Sequence, residues 1–505
     1  MAQNSRELQG AIAATRFGLG AKPGEIEQAS ADPQGWLIRQ IRPEGADQPG
    51  GDLPSGKQAV IALNDYQQER RELRKEGIAP APGRKARAAA AQAEMAQAQM
   101  AKTGDGDMNA MTMQAQAKPA KANDPQADAI AKVRQDLRKT LGPEILERTR
   151  LACATDASFR ERWALFWCNH FTVATVKLTS AVTAGPFERE AIRPHVFGRF
   201  EDMLVASTRH PGMLFYLDQA QSIGPNSQAG QRRKAGLNEN LAREILELHT
   251  LGADSGYTQA DVTEFARALT GWSLGYGAGG LRFGGEQGEF FYRDITHEPG
   301  TRYVMGRRYG PNGERQAREI LHDIANDPRT AKRIARKIAV HFVADEPPQS
   351  LVDRLDKAWT GSGGKLDVVA RALVEAPEAW DPQPQKFKTP YEMIVSGYRA
   401  PGFQPSGFEQ LNILTLMGHR PLSAPSPKGW SDQAAEWAGA DAIVKRLEWA
   451  KGFSAKVGPL VDPKAIAKSS LGARLGQRTE LAVNRAESRQ EALAVLLMSP
   501  EFQRR

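Results

Sequence analysis

Three features of the sequence predict a mainly α fold, a large multi-helix globular core with a small β element or long glycine-rich loop near 273–310. Apolar residues recur at spacings of three and four through most of the chain beyond residue 128. Helix start and stop signals bracket those runs. Glycine and aromatic residues alternate densely only in 273–310.

Residues 1–63 open the core. AATRFGLGAKPGEIEQA reads as a helix end, a glycine turn and a new helix that runs through Trp36, Leu37 and Ile38. Residues 64–127 read as an insertion, with surface helix over 64–101 and a flexible stretch over 102–127. Large β-branched and aromatic residues are scarce beyond residue 80, so this piece cannot bury enough surface to hold a core. The core resumes over 128–452, and 453–505 is expected to be a C-terminal helical extension that packs on it.

Within the core, Phe159, Trp163, Phe166, Trp167 and His170 form one wide apolar stripe. Pro211 restricts His210 and opens a helix. NENLAREILELHTLG (238–252) is a helix ending near Gly252. Thr258 is the N-cap of the next helix, and Asp261 closes a capping box three residues on. Gly271 stops that helix. Strands are expected near 281–283 and 289–292. Helices follow at 314–326, 329–342, 349–359 and 365–376, then at 431–452 and 484–498 after a looser 400–430. VVARALVEAPEAW (368–380) echoes EALAVLLMSPEFQ (491–503), each a helix followed by a proline-led acidic turn.

The chain has 505 residues and is 41% hydrophobic, enough for two or three domain-sized units. Its formal charge of 67 − 59 = +8 is a mild bias at this length. No RNA-binding aromatic signature, zinc finger or basic zipper accompanies it, so specific nucleic-acid binding is not expected. The two cysteines, Cys153 and Cys168, cannot form a disulfide framework; Cys168 reads as a small buried thiol among aromatics. No stretch reaches the roughly 20 apolar residues that span a bilayer. The N-terminus shows no signal peptide. The chain is expected to be soluble.

The chemistry is concentrated in 166–301. On a helical wheel His249 falls with Ala242, Ile245 and Leu246, away from Glu239, Arg243 and Glu247. His170 falls on the apolar face of its own helix. Two arrangements satisfy such buried rings: separate core histidines bonded to backbone, or one shared polar pocket. In the second, His170 and His249 act as metal ligands or acid–base groups, and Glu244 as general base or ligand. A divalent metal is the candidate cofactor. Its ligands would be His170, His249, Glu244, Asp261 and His297, with Glu264 a further carboxylate; HExxH is absent, so they must come from different elements. Asn238, Glu239, Asn240 and Arg243 form a second candidate set, either a helix cap with surface ion pairs or an anion site with Arg232, Arg233 and Lys234. GWSLG (271–275) has the letters of a nucleophile elbow, but a helix precedes Ser273 and glycine-rich loop follows it. GSGG (361–364) lacks the lysine and serine of a phosphate loop and reads as a turn.

FWCNHF (166–171), HPGMLFYLD (210–218), GPNS (224–227), the 238–252 and 256–272 segments and AVHFVADEPP (339–348) occur in this order. With KTPYEMIVSGYRA (388–400) and the terminal SPEF (499–502), the chain resembles the DUF1800 family of bacterial proteins over nearly its whole length outside 65–127. The resemblance implies a largely helical protein and carries no reaction. Many members look exported, which allows a periplasmic location. Many are encoded beside DUF1501 proteins, which resemble sulfatases, so a DUF1501 protein is a candidate partner. The expected function is a hydrolase-like enzyme with a polar or metal-containing pocket between helices, or alternatively a non-catalytic accessory protein.

Overall fold

A computed structural model describes residues 2–75, 140–232, 236–275 and 284–505. The expected flexible stretch 102–127, the helix formers of 86–101, the strand expected at 281–283, and Arg233 and Lys234 lie outside the described residues.

The fold is a large, mainly helical core carrying two small antiparallel hairpins. Its buried apolar residues form two main clusters. The first gathers Phe17, Phe159, Trp163, Trp167, Leu246, Phe265, Trp272, Ile334, Phe342 and Leu373. The second gathers Ile145, Tyr391, Ile394, Leu414, Phe453, Leu493, Leu496 and Phe502. Close-packed clusters of this size are where most of the stabilising burial resides. The echoing segments fall one in each: Leu366–Glu375 with the turn Pro377–Trp380 in the first, Arg489–Met498 with Pro500–Gln503 in the second. The helix Ala440–Val457 runs through residue 452 without a break, and its Trp449, Ala450, Phe453 and Val457 all belong to the second cluster.

Local rules explain several helix ends. Pro211 opens Pro211–Tyr216, and the ring of His210 caps it by accepting from Gly212 N. Thr258 and Asp261 form the reciprocal box at the start of Gln259–Leu269. Gly271 follows with φ +90°, a left-handed conformation that ends the helix and feeds the strand Trp272–Leu274. That strand pairs with Phe290–Tyr292, Trp272 opposite Tyr292. Arg302–Val304 pairs with Arg307–Tyr309 in the second hairpin.

Three elements differ from expectation. The 238–252 helix is α only over Asn240–Glu244 and then widens into a π-turn, Ile245–His249, where the Thr250 hydroxyl donates to the Ile245 carbonyl. The 431–452 helix begins at Ala440, because 430–434 is held in loop form by side chains of other elements, described below. The last expected helix is two, Gln477–Arg485 and Arg489–Met498, since Ser488 caps the second through Glu491 N.

Candidate active site

The helix Ser158–His170 buries Phe159, Trp163 and Trp167 in the first cluster, and the Trp163 indole donates to the Val196 carbonyl at 2.7 Å. This turns Arg162, Cys168 and Asn169 toward the second cluster. There a cavity of about 90 Å³ separates the two, lined by Cys168, Val173 and Phe187 from the first cluster and by Leu19 and Tyr391 from the second. A space of that size admits a few waters or a small molecule.

Asn169 fixes one wall. Its side-chain oxygen accepts from Trp430 N at 2.8 Å and its amide donates to Trp430 O at 2.9 Å. Gly429 has φ +84°, and a Cβ there would lie 2.4 Å from the Asn169 carbonyl, so only glycine fits this approach. The clamp delivers Asp432. Asp345 holds the next turn by accepting from Ala434 N at 2.8 Å, and Lys386 donates to both Asp345 and the Asp432 carbonyl.

His341, near the end of Pro328–Phe342, meets this loop with its Nδ1 2.7 Å from Asp432 Oδ1. The pair retains slight solvent contact, with 13% and 19% side-chain exposure. Burial would raise the Asp432 carboxyl, but His341 and Lys386 outweigh it and hold it at about 2. Burial also outweighs the pull of Asp432 on His341 and keeps the imidazole below its usual range. The ring is therefore neutral near pH 7, Nδ1–H donates to the carboxylate, and Nε2 carries the lone pair. That Nε2 is buried without a hydrogen-bond partner.

Opposite stands a buried ion cluster. Arg162 donates through Nε to the Gly18 carbonyl at 2.6 Å and through Nη1 to Glu392, while its Nη2 is buried and unpartnered. Glu392 also closes the capping box on Thr389, accepting from Thr389 N at 2.8 Å, and lies 3.1 Å from Arg505 Nε. Burial opposes its ionisation, but Arg505 and Arg162 keep it well below the usual carboxylate range. Arg148 and Glu188 form a bidentate pair at 2.7 and 3.2 Å. His419 completes the wall between Trp430 and Trp437, each 4.8 Å away, and burial pushes it down to about 3. The cavity thus holds paired charges, an apolar lining and three unsatisfied polar atoms, His341 Nε2, Arg162 Nη2 and the Tyr391 hydroxyl oxygen.

The structure does bring His170 and His249 together, with ring centroids 6.2 Å apart. They are 2% and 1% exposed. What they share is a basic cluster. His170 Nε2 donates to the His249 carbonyl at 3.0 Å, and its Nδ1 accepts from Lys337 Nζ at 2.9 Å. Both ring nitrogens of His249 are buried and unpartnered. Burial lowers both histidines, with Lys337 and Arg333 adding to the effect, and pushes Lys337 itself down to about 7. Among the described residues no carboxylate hydrogen-bonds to either ring.

The remaining expected residues have the following surroundings. Glu244 is half-buried, and its carboxyl is pushed up to about 7 by burial, with Glu247 adding and Arg243 opposing. Asp261 is spent on Thr258 and on Met305 N, 2.6 Å away. His297 Nδ1 bonds to the Thr270 carbonyl at 2.9 Å. Glu264 pairs with Arg267 and Arg302. Asn238 accepts from Asn240 N and donates to the Leu217 carbonyl; Glu239 accepts from Arg243, Gln259 and Thr263. That second set is tied up among its own members and with Leu217, Gln259 and Thr263. Ser273 lies in a strand and donates to the Ala220 carbonyl at 3.0 Å. Both cysteines are free and buried. Among the described residues no group of three or more His, Cys, Asp or Glu converges as a metal site, and no helix is long and apolar enough to cross a membrane.

Sequence reasoning passed over His341, Asp432, Arg162 and Glu392. The rule that singled out His170 and His249, a histidine in apolar company, applies equally to IAVHFVA around His341. TPYE (389–392) also carries a capping-box signature that marks Glu392. No local pattern marks Asp432, whose partner is 91 residues away.

No match was found among curated proteins or among solved structures. The family profile described as protein of unknown function, DUF1800, matches residues 12–504, and the chain belongs to that family.

Proposed function

We propose that the protein is a hydrolase-like enzyme whose centre is the cavity between the two apolar clusters. One observation carries this reading: His341 Nε2 and Arg162 Nη2, a free base and a free cationic donor, belong to residues lining one small cavity, and both are buried without partners. Unpartnered titratable and cationic groups that line a cavity are candidates for contact with a bound molecule. In the proposed reaction His341 Nε2 takes a proton from water as the water oxygen attacks a substrate carbonyl carbon. Asp432 accepts the Nδ1–H bond throughout and stabilises the imidazolium. Arg162 donates to the carbonyl oxygen as charge builds there. The bond to the leaving group then breaks, and Nε2–H returns the proton to it. The lining of Leu165, Val173, Phe187 and Leu422, with its charges already paired, suits a small neutral ester, lactone or amide.

The test is turnover of short-chain p-nitrophenyl esters, small lactones and amides by the purified chain. His341→Ala is expected to lose about 10²–10⁴-fold in rate. Because these steps use side chains alone, EDTA is expected to leave the rate unchanged. Equal turnover by the wild type and His341→Ala, or none by the wild type across the panel, overturns the reading.

A second reading, an accessory protein acting with a sulfatase-like DUF1501 protein, is favoured by a different feature. Ile443, Val444 and Leu447 stand exposed on the helix Ala440–Val457, an apolar stripe that a partner would cover. Co-elution with the DUF1501 protein, lost on changing the three to serine, would support it over the enzyme.

A further inference from the structure

The second hairpin and the helix Glu314–Ala325 enclose an open cleft of about 580 Å³ on the opposite kind of surface, strongly charged and solvent-facing. It is lined by Arg307, Arg308, Arg315, Arg318 and His322, and by the acids Glu201, Glu319 and Asp323. Each acid has a partner, but only Asp323 meets an arginine. Asp323 accepts from Arg307 and from the Tyr309 hydroxyl, each at 2.7 Å. Glu201 meets His322 at 2.9 Å, and Glu319 accepts from the Asn312 amide at 3.1 Å. Three guanidinium groups, of Arg308, Arg315 and Arg318, are exposed and have no ion pair or side-chain hydrogen bond among the described residues. Arg315 and Arg318 stand three residues apart on one helix face, and Arg308 faces the same cleft from the strand Arg307–Tyr309. Guanidinium groups gathered around one concavity repel one another, and with four arginines against three acids the lining keeps a positive excess that an anion joining them would relieve.

We propose that this cleft binds a small phosphorylated molecule bearing two or more negative charges. Planar guanidinium forks bond phosphate oxygens in pairs, and three of them match a pyrophosphate-like group better than a single carboxylate. The volume falls in the range of small-ligand sites. The cleft shares no lining residue with the cavity at His341, so this inference stands whether or not the enzyme reading does.

Titration calorimetry of the full chain with sodium pyrophosphate tests it, with inorganic phosphate and a single-stranded oligonucleotide as comparison ligands. Pyrophosphate is expected to bind saturably and more tightly than phosphate. Replacing Arg308, Arg315 and Arg318 together by alanine should weaken it at least about tenfold. The triple lysine variant should fall between, since charge is kept and the fork geometry lost. His341→Ala should bind as the wild type does. These surface changes touch no core residue, and an unchanged melting temperature confirms that the variants are folded. The proposal is overturned if pyrophosphate gives no saturable binding, or if the alanine variant binds it equally well. Oligonucleotide binding that depends on the three arginines and that pyrophosphate does not displace also overturns it, and would make the surface a nucleic-acid backbone site.

Discussion

His341 Nδ1 and Asp432 Oδ1 lie 2.7 Å apart although 91 residues separate them in the chain. The contact exists because Asn169 clamps Trp430 from a third element. Asp432→Asn should therefore do two things. An asparagine amide donates to Nδ1 and places the ring proton on Nε2, so turnover should fall about as far as in His341→Ala. Stability should fall by about 1–2 kcal/mol near pH 7. The Asp432 carboxyl is depressed from 3.8 to about 2, so its stabilisation is complete above pH 3.8 and disappears as pH drops through 2. Denaturant melts at pH 7 and below pH 2 check this; an equal loss at both would mean that the charge of the carboxylate contributes nothing.

His249 is buried with neither ring nitrogen bonded, and burial holds it near 3 against an ordinary 6.5. The unfolded chain gains a proton there below pH 6.5 that the native state refuses until pH 3. Stability must decline across that window. His249→Leu, similar in volume, should stabilise by about 1 kcal/mol at pH 7 and by more at pH 5. A loss of stability at both pH values would show that the ring has a bonding partner in solution.

His170 should behave oppositely. Both of its nitrogens are bonded, one to the backbone carbonyl of His249 and one to Lys337. His170→Ala should cost several kcal/mol, through a cavity and two lost hydrogen bonds. The carbonyl survives His249→Leu but the rings touch, so the double mutant should show a coupling of no more than about 0.5–3 kcal/mol. A larger coupling would mean the two rings bridge a ligand.

Glu244 carries a carboxyl raised from 4.5 to about 7 by burial. The native state keeps its proton while the unfolded state loses it, so stability falls as pH rises from 4.5 to 7. Glu244→Gln should gain about 1–2 kcal/mol at pH 8, after allowance for partial exposure, and nothing at pH 4. Urea melts at the two pH values decide it, and a gain at pH 4 would assign the effect to packing.

The capping box gives a local test. Thr258→Ala should cost about 0.5–2 kcal/mol. Asp261→Ala should cost more, because Asp261 also accepts from Met305 N and so ties the second hairpin to the helix. If Thr258→Ala melts like the wild type, the helix start does not depend on the cap.

The sequence by itself determined the features governed by neighbours within a few residues. The helices, the Thr258–Asp261 box, the opening at Pro211, the stop at Gly271 and the inward facing of His170 and His249 all follow from spacing and backbone rules. The sequence also carried the family resemblance. Tertiary structure decided what those histidines meet. The expectation of carboxylates around them came from density along the chain, but Glu244 stays half-buried with no hydrogen bond to either ring, Asp261 is consumed by its cap, and Lys337 arrives from a distant helix instead. The same holds for the candidate centre. Arg162, His341, Glu392 and Asp432 come from four segments that adjoin only because two apolar clusters are pressed together. Periodicity tells which way a side chain faces along its own helix; burial of the opposing surface, summed over the whole core, selects which other helix it faces.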